Sequence, residues 1–195
     1  MTLFGGLFVL TGPNRGGLDP LMALGAESGA AGRSAFSAST EGRDWATIIV
    51  HHSGLHFDDH LQIDRRHRES GLNGSGFHFI IGNGLGRLGD GEIVSTARWL
   101  SQSPGAHVAI TDDADAERVD RLNLESIGVA LIGDGNDRAP TSAQMRSLET
   151  LVLKLQRDHA VQDDRVMLHS EVSEVSSPGR FFPRAEFSQF LATER

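Results

Sequence analysis

Residues Ala46-Thr47-Ile48-Ile49-Val50-His51-His52-Ser53 form an apolar, β-branched run that ends in two histidines. Continuous Val/Ile-rich runs of this length suit a strand buried on both faces. Side chains alternate along a strand, so His51 and His52 are expected to point to opposite faces, with only one of them facing a given pocket. A buried strand that closes on histidines is the anchor for reading the rest of the chain.

Three further runs have the same character: Phe77-His78-Phe79-Ile80-Ile81, Ile127-Gly128-Val129-Ala130-Leu131-Ile132 and Arg165-Val166-Met167-Leu168-His169. Each is short, β-branched or aromatic, and bounded by Gly, Asp or Asn, which marks strands. Thr141-Ser142-Ala143-Gln144 has the form of a capping box. Met145, Leu148, Leu151, Val152 and Leu155 follow at helical spacing, which predicts a helix with one apolar stripe. A second helix is predicted from Asp59 to Glu69, capped by aspartate and stopped at Gly71, with a thin apolar face. The order strand, helix, strand, strand, helix, strand implies an α/β domain built on one mixed sheet flanked by helices.

With 195 residues the chain suits one domain and a tail. Residues Pro13 to Thr40 are rich in Gly, Ala and Ser and poor in large apolar side chains, which reads as a linker or loosely docked arm. The expected division is an arm over residues 1–43 and a compact domain over 44–195. The first twelve residues contain an apolar run of signal-peptide core length with no positive charge before it, and the run is too short to span a bilayer. An export remnant and an ordinary apolar segment both fit it.

The charge balance, 26 acidic against 18 basic residues for a net −8, disfavours a nucleic-acid partner, because phosphates would be repelled. Cysteine and tyrosine are absent, so any metal must be held by the nine histidines, carboxylates or hydroxyls. Gly84-Leu85-Gly86-Arg87-Leu88-Gly89 satisfies the G-x-G-x-x-G pattern, but Asp90-Gly91-Glu92-Ile93-Val94 follows where a dinucleotide site needs a helix. A glycine-rich hairpin loop is the better reading.

His51 and His169 each close a predicted strand. Hydrolytic zinc sites use three protein ligands and leave a fourth position for water, and two strand-end histidines can supply two of the three. Packing or surface placement is the competing reading of such a pair. Ser177, eight residues after His169 in Ser176-Ser177-Pro178-Gly179, lacks the Gly-x-Ser-x-Gly elbow of a nucleophilic serine.

Taken together, Ile48 to Ser53, His67 ten residues before Phe77, Gly76 to Gly82, Gly105-Ala106-His107, Ser126 to Val129, Thr141 to Gln144 and His169 to Gly179 resemble the zinc N-acetylmuramoyl-L-alanine amidases. That family includes phage lysozyme-type amidases and the peptidoglycan recognition proteins. The resemblance runs from about Trp45 to Pro183 and implies a central mixed sheet with a zinc groove for the glycan-linked stem peptide. It implies peptidoglycan or muropeptide as partner, and hence a periplasmic or secreted location. It makes His51 and His169 metal ligands and Ser177 the occupant of the third ligand position, where the family has cysteine or aspartate. His107 is similar to a groove residue that contacts substrate, and a backbone-bonded structural histidine is the alternative. Arg180 is a candidate for a substrate carboxylate, with a surface role as its bland reading. His67 is a weaker substrate candidate whose simpler reading is packing.

The departures from the family point in one direction. Phe77 stands where active members often carry tyrosine, Val175 where they carry lysine or threonine, and Ala130 where an intracellular branch uses glutamate. Phenyl and isopropyl groups cannot donate a hydrogen bond to an oxyanion. The expectation is a family domain that binds the stem peptide with reduced or lost hydrolysis and holds zinc weakly or not at all. The alternative is an active amidase in which Ser177 or Glu171 completes the site; Glu171 would face the same side as His169 if that segment were extended.

Overall fold

The computed structural model describes residues 43–109 and 116–193. All of the proposed arm except Arg43 lies outside the described residues. Five strands form one sheet in the order β3-β2-β4-β1-β5. They are β1 (Thr47–His52), β2 (Phe79–Asn83), β3 (Asp90–Ser95), β4 (Ser126–Leu131) and β5 (Val166–Leu168). β1 runs parallel to β4 and β5, β2 runs parallel to β4, and β2 pairs antiparallel with β3. The Gly84–Gly89 stretch is therefore the loop of a β2–β3 hairpin, as its turn residues predict.

The helices are α1 (His60–Glu69), α2 (Ala97–Leu100), α3 (Ala116–Glu125), α4 (Ser142–His159), α5 (His169–Val172) and α6 (Arg184–Thr193). α4 is the helix of the apolar stripe: Leu148, Leu151, Val152 and Leu155 are all buried. Full burial of each such side chain is worth roughly 2 kcal/mol, which outweighs any propensity term. Its start is the expected capping box, with the Thr141 hydroxyl accepting from Gln144 N and the Gln144 amide oxygen accepting from Thr141 N. The Gln144 Nε2 donates to the carbonyls of Ile81 and Ile132, so the cap also fastens the helix to the sheet.

The alternation of β1 divides the core. Ile48 and Val50 join Phe79, Ile81, Val129, Leu131 and the α4 stripe on one face. Ile49 points the other way, into a smaller cluster with Val108, Val119 and Val172. His51 shares that second face by the period of two.

α1 has Ile63 as its single buried apolar residue, as its thin face predicts. Polar contacts compensate. Asp59 caps its first turn through Leu61 N and Gln62 N. Asp58, fully buried, forms a two-pronged ion pair with Arg66 at 2.6 and 2.9 Å. Charge-assisted bidentate bonds of this kind are directional as well as strong. α3 and α6 were not expected: each fully buries one residue, Val119 or Phe187, and its apolar face is short, Val119 and Leu122 in one and Phe187, Phe190 and Leu191 in the other. Among the described residues, no helix is long and apolar enough to cross a membrane.

Candidate functional site

β1 ends by delivering His51 to a cleft of about 270 Å³, bordered also by Phe77, His107, His169, Val175 and Ser177. These side chains come from distant parts of the chain, and the distances between them are short. The His51 ring lies 4.2 Å from that of His169, 4.9 Å from that of His107 and 5.2 Å from that of Phe77, centroid to centroid. Ala130, the ladder partner of His51 on β4, is fully buried beside it. A smaller apolar cavity of about 140 Å³, lined by Leu85, Ile132 and Pro178 among others, contains none of Phe77, His107, His169, Val175 or Ser177.

The two histidines of β1 diverge as expected. His51 is buried in the cleft wall, whereas the His52 imidazole accepts from Gly135 N at 2.8 Å on the other side of the strand. The His52 backbone stays at the cleft, where its N–H donates to Ser177 Oγ at 3.0 Å. The segment carrying Ser177 is clamped from two directions: Ser170 N donates to the Ser177 carbonyl, and Phe181 N donates to the Gly135 carbonyl. Gly135 packs against the backbone of Pro178 and Gly179: a Cβ on Gly135 would fall 1.8 Å from the Pro178 oxygen, and one on Gly179 would fall 2.0 Å from the Gly135 carbonyl carbon.

Phe77 reaches the cleft through a second close crossing. Ala106 N donates to the Gly76 carbonyl, and a Cβ on Gly76 would lie 2.2 Å from the Ala106 oxygen, so only glycine lets the two loops meet. His67 holds this crossing from below: its Nδ1 accepts from Gly76 N at 2.8 Å while its ring packs 5.4 Å from Phe77. His78 turns away from Phe77, although both precede β2 and strand alternation does not reach them: Phe77 packs with Ile80, whereas His78 packs against Trp45 and Trp99, its Nε2 bonding to the Ser103 carbonyl while Gly128 N donates to its Nδ1. Arg180 does not border the cleft; its guanidinium lies over the Phe181 ring at 4.8 Å.

The site is electrostatically unusual because several imidazoles lie side by side with His51 and His107 buried. Burial, and then the nearby His107 and His169, hold His51 well below the ordinary histidine range. Burial, and then His78, do the same to His107. His169 is pushed down to about 4 by burial and by His52. These rings are therefore neutral at pH 7, the form in which imidazole offers a lone pair to a cation or a donor. The Nε2 of His169 is buried without a hydrogen-bond partner.

The donor set does not fit a tightly held zinc. His51 and His169 would supply two imidazoles, but at the third position implied by the resemblance stands the neutral hydroxyl of Ser177, whose oxygen accepts from His52 N. Among the described residues, no group of three or more His, Cys, Asp or Glu side chains is placed to hold a metal ion. Glu171 does not complete the set. The expectation that it shares a side with His169 assumed an extended segment, but β5 stops at Leu168 and residues His169–Val172 are helical. Its carboxylate instead caps that turn through Leu168 N and pairs with Arg184.

Sequence reasoning missed Asn123, and it gave Ser126 no role beyond its place in the Ser126 to Val129 motif. Asn123 accepts from the backbone of His107 and Val108 and donates back to Val108, which pins the loop that carries His107. Gly128 was the available signal, because a glycine inside an apolar strand marks a place where another group comes close.

With this geometry in place, the comparisons are specific about lineage. Residues 41–180 match the Amidase_2 family, N-acetylmuramoyl-L-alanine amidase, and the chain belongs to that family. The fold is similar to that of N-acetylmuramoyl-L-alanine amidase LysC from Clostridium intestinale URNW, at 24% identity and a TM-score of 0.63, over 82% of this chain and 93% of that one. It is also similar to bumblebee PGRP-SA, at 20% identity and a TM-score of 0.53, over 73% of this chain and 80% of that one. A third similar structure is a Drosophila PGRP-LB mutant in complex with tracheal cytotoxin, at 23% identity and a TM-score of 0.53, over 77% of this chain and 85% of that one. No curated protein matches.

Proposed function

We propose that this chain is a peptidoglycan-binding domain of the amidase family, which holds the muramyl stem peptide in the His51–Ser177 cleft with hydrolysis reduced or lost. The observation that carries this reading is the hydroxyl of Ser177 at the third ligand position, engaged by the His52 amide at 3.0 Å. Phe77 and Val175, both on the cleft wall, add no hydrogen-bond donor for an oxyanion. Zinc is then held weakly or not at all, and the cleft's neutral imidazoles serve as acceptors for peptide N–H groups. Because peptidoglycan lies outside the cytoplasm, the domain acts in the periplasm or after secretion.

The second reading is an active amidase that cleaves the lactyl–L-alanine amide. The unpartnered Nε2 of His169 favours it, since a buried imidazole nitrogen with nothing to bind is costly. Incubating the purified domain with insoluble cell wall separates the two. Co-sedimentation without release of peptide, with or without chelator, is the expected result. Peptide release that chelator abolishes would establish the hydrolase.

A further inference from the structure

His107 sits in a slot that the backbone has cleared for it. A Cβ on Gly128 would lie 2.4 Å from the His107 ring, and one on Gly105 would lie 2.5 Å from it. The ring is buried, and both of its nitrogens are used. Nδ1 lies 3.0 Å from His51 Nε2, and Nε2 lies 3.3 Å from the Ser126 carbonyl oxygen. Ser126 Oγ is 3.5 Å from the same Nε2, but its own proton is directed at the Leu122 carbonyl.

These contacts fix the direction of a proton chain. A carbonyl oxygen only accepts, so His107 Nε2 carries the hydrogen and His107 Nδ1 is a lone pair. That lone pair requires the hydrogen of the adjoining bond to sit on His51 Nε2. The one lone pair left to His51 is then on Nδ1. The reverse arrangement would set the Nε2 lone pair of His107 against the Ser126 oxygen, and doubly protonated rings are disfavoured by the burial of both residues.

We propose that His107 is a positioning residue: together with the Ser126 carbonyl it locks His51 in the Nε2–H tautomer and so presents an Nδ1 lone pair to the cleft. A ligand N–H group or a cation is received at that nitrogen, and a donor-poor group such as a carbonyl is rejected there. The role rests on the reading of the cleft as the binding site. It is tested without ligand, so its failure is distinguishable from a failure of that reading.

The test is long-range proton–nitrogen NMR on histidine-labelled, chelator-treated protein, with a scalar-coupling experiment across the N–H···N bond. The expected result is a coupling between His51 Nε2 and His107 Nδ1, with the proton on the His51 side. Finding the proton on His51 Nδ1 or on His107 Nδ1 overturns the proposal. His107→Asn places an amide oxygen where Nδ1 stood and should keep the His51 tautomer, whereas His107→Leu should draw the two His51 nitrogen resonances together as the tautomers mix. An unchanged His51 spectrum in folded His107→Leu also overturns it; if that variant does not fold, the wild-type coupling and His107→Asn decide. Muropeptide affinity, measured separately by calorimetry, should fall in His107→Leu and be restored in His107→Asn, a rescue that a merely structural role would not produce.

Discussion

The hydroxyl oxygen of Ser177 accepts a 3.0 Å hydrogen bond from the backbone amide of His52, two residues that are 125 positions apart in the chain. The bond places Ser177, the proposed third ligand position, directly beside the strand that carries His51. Structural zinc sites bind with about 10–16 kcal/mol, so one of four ligands is worth on the order of 3 kcal/mol. At about 1.4 kcal/mol per tenfold, Ser177→Cys should therefore tighten zinc by roughly a hundredfold or more, read by competition with a chelator. Turnover should not return with it, because Phe77 and Val175 still lack donors. Unchanged zinc affinity in this variant would mean that position 177 is not a ligand position.

The contact between Gly135 and Pro178 should be intolerant of any side chain. A Cβ at Gly135 would meet the Pro178 carbonyl at 1.8 Å, and a backbone atom cannot rotate aside as a side chain can. Overpacking costs typically 1–3 kcal/mol, and Gly135→Ala should fall at the upper end, about 3 kcal/mol. For a chain of this size that lowers Tm by roughly 6–12 °C in a thermal melt. Because the displaced segment carries Ser177, cell-wall binding should weaken as well, even well below the melting temperature.

Gln144 and Thr141 should differ in cost although they share one capping box. Thr141→Ala removes a helix cap and should cost about 1 kcal/mol in urea denaturation. Gln144→Leu also strands the Ile132 carbonyl, which the amide now satisfies at 2.9 Å, while the Ile81 carbonyl loses one of two donors and keeps Ile132 N. Leaving one buried acceptor unpaired costs about 1–3 kcal/mol on top of the lost capping box, so this variant should lose about 2–4 kcal/mol. Equal losses in the two variants would show that the sheet contacts of Gln144 carry no stability.

Stability should fall as pH drops from neutrality toward 4. His78 is pushed down to about 3, chiefly by burial, and His169 to about 4 by burial and His52. In the unfolded chain these rings take up protons near pH 6.5, whereas in the folded protein they stay neutral until much lower pH. The unfolded state therefore binds more protons throughout that window, and the free energy of unfolding declines as pH falls through it. Asp64 and Asp134, held low by Arg68 and by the Asn136 amide respectively, add their own loss only below the usual carboxylate range. A Tm that is unchanged between pH 7 and pH 4 would contradict the burial of these histidines.

Much of the scaffold was legible in the chain because its signals are local. Four of the five strands announce themselves as β-branched runs, and Asp90 to Val94 reads as an extended segment once the preceding glycines are seen as a hairpin. The α4 stripe and its capping box are written at fixed offsets of three and four residues. The same local rule of alternation placed His51 and His52 on opposite sides of β1. α3 and α6 escaped notice because their apolar faces are short: Val119 with Leu122, and Phe187 with Phe190 and Leu191, span barely one turn each.

The sequence by itself determined the family's pattern of motifs and the absence of donors at Phe77 and Val175 and of an anionic ligand at Ser177, since residue identity alone decides what a side chain can offer. Tertiary structure decided how those residues are used. His107 meets His51 across 56 positions and Ser177 meets His52 across 125, partnerships that exist only once the sheet order and two glycine crossings bring the loops together. Glu171 shows the reverse case: whether it could face the cleft depended on a helical turn beginning at His169, and the packing of that turn sent its carboxylate to Arg184 instead. Hydrophobic period is a property of neighbours in sequence, whereas a hydrogen bond between distant side chains depends on ångström-scale placement that only the packed core imposes.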